Sequence, residues 1–296
     1  MSTDHLVARG ESLAWAPPAG PLAGSPGLQG WSVLDASTAA VHTGFGLSRL
    51  ASGGSVPAHV HSYEESLYVV DGQVVVQTPG EAARLRPGDY GLIPVGVPHS
   101  LRNDDGAEAR FARLSVPLPR PEHDLDTQLV SDLTETEPVA ADVRDPRTRR
   151  YGHIDDAQMD PTQQGQDRLT VSASMRTALL VYSGITVKMM VDSDLGAQLS
   201  TMFMVQYEPD GVAGAHDHPF EEAYFFLEGH AEATFDGTRY ELGPGDVAWA
   251  GVGAVHSFRN LGDGPLRWLE TQAPQPPARH SYRFARDWDY LREVSR

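Results

Sequence analysis

Short apolar runs separated by turn residues fill most of the chain. In the first half these runs read FGLSRLA, ESLYVVDG, QVVVQT and YGLIPVGVPH, with Gly, Pro and Asp clusters between them. The same pattern of apolar runs and turn residues recurs in the second half, in ITVKMMVD, QLSTMFMVQYEP, EAYFFLEG and TRYELGPGDVAWAG. Runs of about four to eight residues that are rich in β-branched and aromatic side chains predict antiparallel strands. The pattern therefore predicts an all-β protein with a sandwich or barrel in each half.

Two stretches break this pattern and set the expected domain boundaries. One is an N-terminal segment rich in Gly, Pro and Ala, which predicts an arm or an added edge strand. The other is a charged, Pro-rich segment typical of a linker, with one short helix expected at 126–134. We expect an arm, a first barrel, a linker, a second barrel and a tail that can form an amphipathic helix, at residues 1–40, 41–118, 119–168, 169–278 and 279–296.

Composition narrows the class of protein. The chain has 296 residues, a formal net charge of −17 and no cysteine. The acidic balance argues against binding to nucleic acid or to an anionic membrane, and the absence of thiols excludes disulfides and thiolate metal ligands. We find no signal-peptide pattern at the N-terminus and no apolar run of about 20 residues. The expectation is a cytoplasmic protein that acts without nucleic acid or membrane.

A set of polar residues occurs twice, 157 positions apart. Each copy holds three histidines and one glutamate: His59, His61, Glu65 and His99 in the first, His216, His218, Glu222 and His256 in the second. Neutral imidazoles and a carboxylate are ligands for divalent transition metals. The repeated set predicts one metal site in each half of the chain.

The spacing within each set fits a strand. Side chains alternate between the two faces of a strand, so His59, His61 and Glu65 lie on one face, while the adjacent Glu64 lies on the other. The same parity applies 157 residues later, where Glu222 rather than Glu221 shares the face of the histidines. Glu65 and Glu222 are therefore the predicted carboxylate ligands.

The residues around these sets resemble the two signature motifs of the cupin superfamily. The first copy, in segments 53–72 and 88–103, matches the patterns G-x5-H-x-H-x3-E-x6-G and G-x5-P-x-G-x2-H-x3-N at every defined position. The second copy departs at two turn positions, where Asp210 replaces a glycine and Gly251 replaces a proline. The resemblance implies two cupin barrels, which are jelly-roll or double-stranded β-helix folds, in one chain.

Four protein ligands leave open positions on a five- or six-coordinate metal, as an enzyme needs. Ligand type admits Fe, Mn, Ni, Cu, Co or Zn, and we expect one ion per barrel. Both sites match the metal-binding pattern. In two-domain relatives one site is often catalytic and the other structural, so we expect the two barrels to differ.

The residues near the ligands distinguish the copies. The second copy is the more aromatic, which favours a flat organic substrate there, although the same rings also fit an ordinary barrel core. The polar candidates lie on the strands before each histidine pair. The predicted substrate contacts are Phe220, Tyr224, Phe226, Trp249, Phe258, Gln206 and Arg49.

Three functions remain open at this point. The leading hypothesis is a dioxygenase that acts on a small organic substrate with O₂, with Glu222 as a ligand that can also serve as a catalytic base. The alternative is a non-redox aminohydrolase, decarboxylase or isomerase, in which the metal polarises a carbonyl or carboxylate. The third is a non-enzymatic small-molecule-binding cupin. The resemblance also implies a homodimer.

Overall fold

The computed structural model of the chain describes residues 4–120, 126–142, 145–163, 182–275 and 283–284. Strands predominate within this part of the chain, which confirms the prediction of an all-β protein. Helix is limited there to single turns, at Asp156–Met159 (α1) and, as 3-10 turns, at Gly10–Ser12, Gly20–Leu22 and Pro161–Gln163.

The first half of the chain carries strands β1 to β13. Their bounds are β1 His5–Ala8, β2 Leu28–Leu34, β3 Gly44–Leu50, β4 Ser55–His61, β5 Glu64–Asp71, β6 Val74–Thr78, β7 Glu81–Leu85, β8 Asp89–Ile93, β9 His99–Arg102, β10 Ala109–Val116, β11 Thr127–Leu129, β12 Val139–Ala140 and β13 Tyr151–His153.

The second half carries strands β14 to β22. Their bounds are β14 Tyr182–Val191, β15 Thr201–Asp217, β16 Glu221–Glu228, β17 Ala231–Phe235, β18 Thr238–Leu242, β19 Val247–Ala250, β20 His256–Asn260, β21 Leu266–Ala273 and β22 Arg283–Phe284.

Contacts divide the chain into two compact units. One consists of Leu13–Asp155 and Met190–Ser200, and we call it the first barrel. The other consists of Met1–Ser12, Asp156–Met189 and Thr201–Arg296, and we call it the second barrel.

The first barrel consists of two six-stranded sheets. Their strand orders are β13-β8-β5-β10-β3-β2 and β11-β4-β9-β6-β7-β12. Side chains from both sheets form one buried cluster that is mainly aliphatic. It includes Leu67, Val69, Val76 and Leu101 together with the rings of Phe111 and Tyr151. Burial of this apolar surface, at roughly 25 cal/mol per Å², is the main force that closes the two sheets on each other.

The second barrel is a curled ten-stranded sheet. Its path runs β1-β19-β16-β21-β15-β20-β17-β18, with β14 and β22 also paired to β15. The long strand β15 bonds to β21 through its first part and to β20 near its end, so it belongs to both sides of the barrel. The core here is aromatic: its rings include Tyr207, Tyr224, Phe226, Phe235, Phe258 and Trp268.

The strand register repeats between the barrels together with the sequence. His59 lies opposite His99 on β4 and β9, and His216 lies opposite His256 on β15 and β20. In each barrel the two partners are far apart in sequence, and antiparallel pairing of their strands brings the third histidine beside the first. The repeat thus predicts the register as well as the motifs.

Glycines that recur in both copies hold tight turns. Gly72 and Gly229 both have positive φ, at 69° and 73°. A Cβ on Gly72 would lie 2.3 Å from the carbonyl oxygen of Glu108, and one on Gly229 would lie 2.5 Å from that of Pro265. Only glycine avoids these collisions. In the second copy Asp210 replaces the first glycine of the motif. It adopts the left-handed conformation, with φ 63°, so the turn forms there without a glycine.

The segments outside the strand pattern supply edge strands. In the arm, β1 pairs with β19 of the second barrel, and in the linker, β13 pairs with β8 of the first barrel. The linker segment expected to form a helix at 126–134 forms β11 instead, paired with β4, so that prediction is wrong. The amphipathic helix expected at 279–296 lies outside the described residues, apart from β22.

Candidate metal centres

Three histidines converge inside the first barrel. His59 and His61 come from β4, and His99 comes from the paired strand β9. Each offers one ring nitrogen, and these nitrogens all lie within 4.8 Å of one another. All three side chains are buried. Strand alternation and cross-strand pairing therefore build the cluster that the sequence predicts.

The hydrogen bonds of these histidines fix which nitrogen faces the centre. Nδ1 of His59, His61 and His99 lies 2.8, 2.6 and 2.9 Å from a backbone carbonyl oxygen two residues away. Since a carbonyl only accepts, Nδ1 carries the proton and Nε2 is a bare acceptor. These three Nε2 atoms are buried and have no hydrogen-bond partner within the described part of the chain. A buried acceptor without a partner is costly, so a metal ion at this point fits the donors.

Burial keeps these imidazoles neutral. It lowers the pKa of His59 to about 4, with His99 as the next contribution, and it lowers the pKa of His99 to about 4 as well. The pKa of His61 is lowered by burial in the same way. Neutral imidazole is the form that binds a metal, so the first barrel holds its three histidines ready for coordination.

Glu65 is tied to an arginine that sequence reasoning did not identify. Its carboxylate lies 3.6 Å from Nε2 of His61 and accepts two hydrogen bonds from Arg113, at 3.1 Å from Nε and 2.5 Å from Nη2. Burial would raise the pKa of Glu65, but Arg113 and His61 outweigh it and lower the pKa to about 2. The first barrel thus places Glu65 between its histidines and a fixed cation.

The second barrel repeats the histidine cluster. His216 and His218 lie on or just beyond β15, His256 lies on β20, and their ligand nitrogens are again within 4.8 Å of one another. Nδ1 of His216 donates to the carbonyl oxygen of Gly214 at 2.6 Å, and Nδ1 of His256 donates to that of Ala254 at 3.0 Å. Burial lowers the pKa of His216 well below its usual value.

Glu222 approaches its histidines more closely than Glu65 does. Its Oε2 lies 3.3 Å from Nε2 of His218 and 3.1 Å from Nε2 of His256. The hydroxyl of Tyr224 donates to Oε2 at 2.6 Å, and Nε2 of Gln272 donates to Oε1 at 2.7 Å. Burial would raise the pKa of Glu222, but His218, His256 and the Tyr224 hydroxyl lower it. Neutral donors thus orient this carboxylate towards the histidines.

A second carboxyl group, on a residue that is only partly buried, lies in the second barrel. Glu270 stands 157 positions after Arg113, and its Oε2 accepts a hydrogen bond of 2.9 Å from Nε1 of Trp268. Burial and the nearby charge of Glu222 raise its pKa well above the usual value. The two barrels therefore share their histidines but carry opposite side-chain chemistry beside the glutamate.

The space around the two clusters also differs. In the second barrel a cavity of about 40 Å³ touches the three histidines, Glu222 and Glu270. In the first barrel a cavity of about 350 Å³, which we call the mouth, is lined by residues of β2, β3 and β10. Its lining includes Arg113 and Tyr63, whose ring stacks on His61 with ring centroids 4.0 Å apart. The cavity at the second cluster is therefore much smaller than the cavity in the first barrel.

Comparison with known proteins agrees with this geometry. A cupin domain model matches residues 46–117 and 203–271, and these ranges contain both histidine clusters. The Streptomyces cyaneus protein named polyketide synthase CurC is 33% identical over 114 residues, which are 36% of this chain and 74% of that protein. The chain belongs to the cupin family. With two matched regions it is a bicupin, as the motifs predict.

Further proteins similar to this bicupin align with both of its domains. Quercetin 2,3-dioxygenase of Bacillus subtilis is 25% identical over 241 residues, which cover 71% of this chain and 68% of that enzyme. A salicylate 1,2-dioxygenase structure from Pseudaminobacter salicylatoxidans aligns with a TM-score of 0.66 at 15% identity, over 91% of this chain and 84% of the other. An oxalate decarboxylase structure from Lactobacillus farciminis aligns with a TM-score of 0.62 at 18% identity, over 98% and 92%. The structures share the fold.

The predicted substrate contacts in the second barrel of this bicupin lie in different surroundings. Tyr224 and Phe258 line the 40 Å³ cavity. Phe220 stacks on His218 with ring centroids 4.8 Å apart, and Phe226 packs in the aromatic core. Trp249 is buried on β19, opposite Leu6 of β1 and Ala223 of β16. Tyr224 and Phe258 are therefore the predicted rings that border the site.

The two polar predictions contact groups other than the histidines. The side chain of Gln206 bonds to Arg267, Glu208 and the backbone of Met159. Arg49 bonds to Gln29 and lies 4.9 Å above the ring of Trp15. Substrate contact by either residue stays a prediction.

Sequence reasoning missed Arg113 and Glu270, although a signal was present. The 157-residue offset that pairs the ligands also pairs these two positions, on β10 and β21. Charged residues at inward positions of otherwise apolar strands indicate a functional or paired group.

In the described chain, no helix is long and apolar enough to cross a membrane.

Proposed function

We propose that this bicupin is a metal-dependent dioxygenase whose chemistry takes place in the second barrel. The observation that supports this most strongly is the convergence of His216, His218, His256 and Glu222 on one small cavity. Three imidazoles and a carboxylate suit Fe, Mn, Ni, Cu, Co or Zn, and fewer than six protein ligands leave room for a substrate oxygen atom or O₂. The same donors in the first barrel support a second ion.

The walls of the second cavity support a small, apolar-bodied substrate. Tyr224, Phe258 and Trp268 border it, together with Phe203 and Val205. A volume of about 40 Å³ holds only a few water-sized molecules, so a larger substrate requires the rings to move. We infer a small organic substrate that presents one or two oxygen atoms to the metal. The dioxygenases among the relatives of this chain support that reaction class.

The residues of the chain have distinct roles in this proposal. The bound metal supplies a Lewis acid and, for a redox-active ion, an electron path to O₂. Glu222 orients the site, because Tyr224 and Gln272 fix both of its oxygens. Glu222 is also the predicted base, and the donors that lower its pKa keep it ionised. The aromatic wall excludes water from the reacting centre.

Oxygen consumption tests this proposal. Protein loaded separately with Fe, Mn, Ni, Cu, Co or Zn would be given small phenols and enediols in an oxygen electrode. We expect substrate-dependent O₂ uptake with a redox-active metal and none with the His216→Ala/His218→Ala variant. Product formation without O₂ uptake, under every metal, would overturn the dioxygenase.

Glu270 favours a second candidate, a non-redox decarboxylase or isomerase. It places a second carboxyl group beside Glu222 in the same cavity, where one acid and one base can move a proton on a substrate held by the metal. The oxalate decarboxylase among the structural neighbours shares this fold. Anaerobic turnover of a small carboxylic acid that is lost in Glu270→Gln, with the metal retained, would select this function over the first.

A further inference from the structure

The mouth of the first barrel is much wider than the corresponding part of the second. The difference follows from paired positions on β3 and β15: Gly46 and Ser48 in the first barrel stand where Phe203 and Val205 stand in the second. All four line the cavity of their own barrel. Small side chains leave about 350 Å³ open in the first, and large ones reduce the second cavity to about 40 Å³.

Arg113 lies in the wall of this wide cavity, and only one of the two hydrogen-bonding edges of its guanidinium contacts a carboxylate. Glu65 occupies the edge formed by Nε and Nη2. A guanidinium has a second edge, formed by Nη1 and Nη2, with the same spacing for a bidentate carboxylate. Within the described residues, no acceptor lies at hydrogen-bonding distance from Nη1. The side chain is 21% exposed, and Arg113 lines the cavity.

The rest of the lining suits an organic anion. Tyr63, Ser48 and Ser115 line the same cavity as Arg113 and carry hydroxyl groups, while Leu34 and Leu118 contribute apolar surface. The acid in the lining, Asp35, is occupied by the backbone N–H and hydroxyl of Ser37, at 2.9 and 2.6 Å. A charged anchor, a few hydroxyls and apolar walls form the usual composition of a small-molecule site.

We propose that the mouth of the first barrel binds a small organic carboxylate, with the Nη1–Nη2 edge of Arg113 as its anchor. Glu65 keeps the guanidinium in place and faces the histidines, while the ligand occupies the cavity side. The second barrel cannot bind a carboxylate in this way, because Glu270 stands at the position of Arg113. The site does not depend on which barrel catalyses, or on dioxygenase activity.

The first experiment is a titration of the purified, metal-containing protein with benzoate, and with acetate as a smaller carboxylate, by calorimetry. Benzamide and acetamide are the neutral controls of the same shape. We expect one carboxylate per chain to bind at least about tenfold more tightly than its amide, since charge-assisted bonds to the guanidinium are lost with the amide.

Variants locate the site. Arg113→Gln should weaken benzoate binding by about tenfold or more, whereas Arg110→Gln should leave it unchanged. Arg110 is a matched control, because it lies on the same strand, is not among the residues that line the cavity and pairs with Asp71 on the surface. Arg113→Lys keeps the charge beside Glu65 but lacks the second bidentate edge, so it should also bind benzoate more weakly. It replaces Arg113→Gln in the test if that variant fails to fold.

A crystal structure of the wild-type protein with benzoate gives the direct readout. The expected result is a carboxylate on Nη1 and Nη2 of Arg113. The proposal is overturned if benzoate binds no better than benzamide, if Arg113→Gln or Arg113→Lys keeps wild-type affinity, or if the crystal places the carboxylate on the histidine clusters or elsewhere.

Discussion

Arg113 on β10 and Glu270 on β21 occupy the same position of the two barrels, and each lies against the glutamate of its own histidine cluster. Burial raises the pKa of Glu65, whereas the positive charge of Arg113, which binds Glu65, lowers it. Glu270 adds a second carboxyl group beside Glu222. Two sites with the same histidines thus have different electrostatic surroundings, a guanidinium in one and a carboxyl group with a raised pKa in the other. The two barrels are therefore expected to differ in metal affinity and in the ligands that they accept.

Loss of Arg113 is expected to destabilise the metal-free protein. Arg113→Met leaves Glu65 as a buried charge without its partner, a loss of about 3–5 kcal/mol. The double variant Glu65→Met/Arg113→Met removes both charges and should recover most of that stability. Urea unfolding of the three proteins measures this. If Arg113→Met alone unfolds at the wild-type midpoint, the ion pair does not stabilise the barrel.

The hydroxyl of Tyr224 is expected to support metal binding in the second barrel. Tyr224→Phe removes the 2.6 Å hydrogen bond to Glu222 and should lower metal affinity or turnover about 10- to 100-fold. Tyr240→Phe is the matched control, because its hydroxyl bonds to His5 at 2.9 Å instead. Competition titration with a chelator gives the affinities. Equal affinities for the two variants would exclude a role for Tyr224 in orienting Glu222.

The metal-free protein should lose stability as the pH falls from about 6.5 to about 4. Burial lowers the pKa of His59 and His99 to about 4, while both titrate near 6.5 when unfolded. Between these values the unfolded state binds more protons, so stability rises with pH and the contribution of these histidines is lost on acidification.

Unfolding midpoints measured across this pH range test the prediction. The variant His59→Gln/His99→Gln should show a flatter dependence than the wild type, because it lacks the two groups. An identical slope in both proteins would assign the pH dependence to other residues.

The two histidine clusters are expected to respond differently to mutation. His216→Ala/His218→Ala should abolish turnover, whereas His59→Ala/His61→Ala should mainly lower stability, because the proposed chemistry lies in the second barrel. Each variant should lose one bound metal ion. Steady-state rates and metal content of both proteins decide this, and the assignment is wrong if only the first-barrel pair stops turnover.

The sequence predicts the clusters well, because their geometry is local and repeated. His59 and His61 share a face by strand alternation, and the 157-residue repeat carries the arrangement to His216 and His218. The partner of Glu65 was not predicted, since Arg113 reaches it only through the pairing of β5 with β10. The strand β11 was missed for the same reason: its structure comes from long-range pairing with β4 and not from a local signal.

The sequence pattern also does not predict the size of either cavity. Aromatic residues in the second copy favour a flat substrate but fit an ordinary barrel core equally well. In the structure Tyr224, Phe258 and Trp268 pack on one another and leave a cavity of about 40 Å³. Whether rings line a cavity or fill it depends on their packing in three dimensions, which residue type alone does not determine.

Elemental analysis of protein purified without chelator or affinity nickel is the most direct test of metal binding at the two histidine clusters. Two clusters of buried imidazoles predict close to two divalent transition-metal ions per chain, falling to one in either His→Ala pair. Protein that contains no metal, and that takes up none when Fe, Mn, Co, Ni, Cu or Zn is added, would contradict metal binding at both sites.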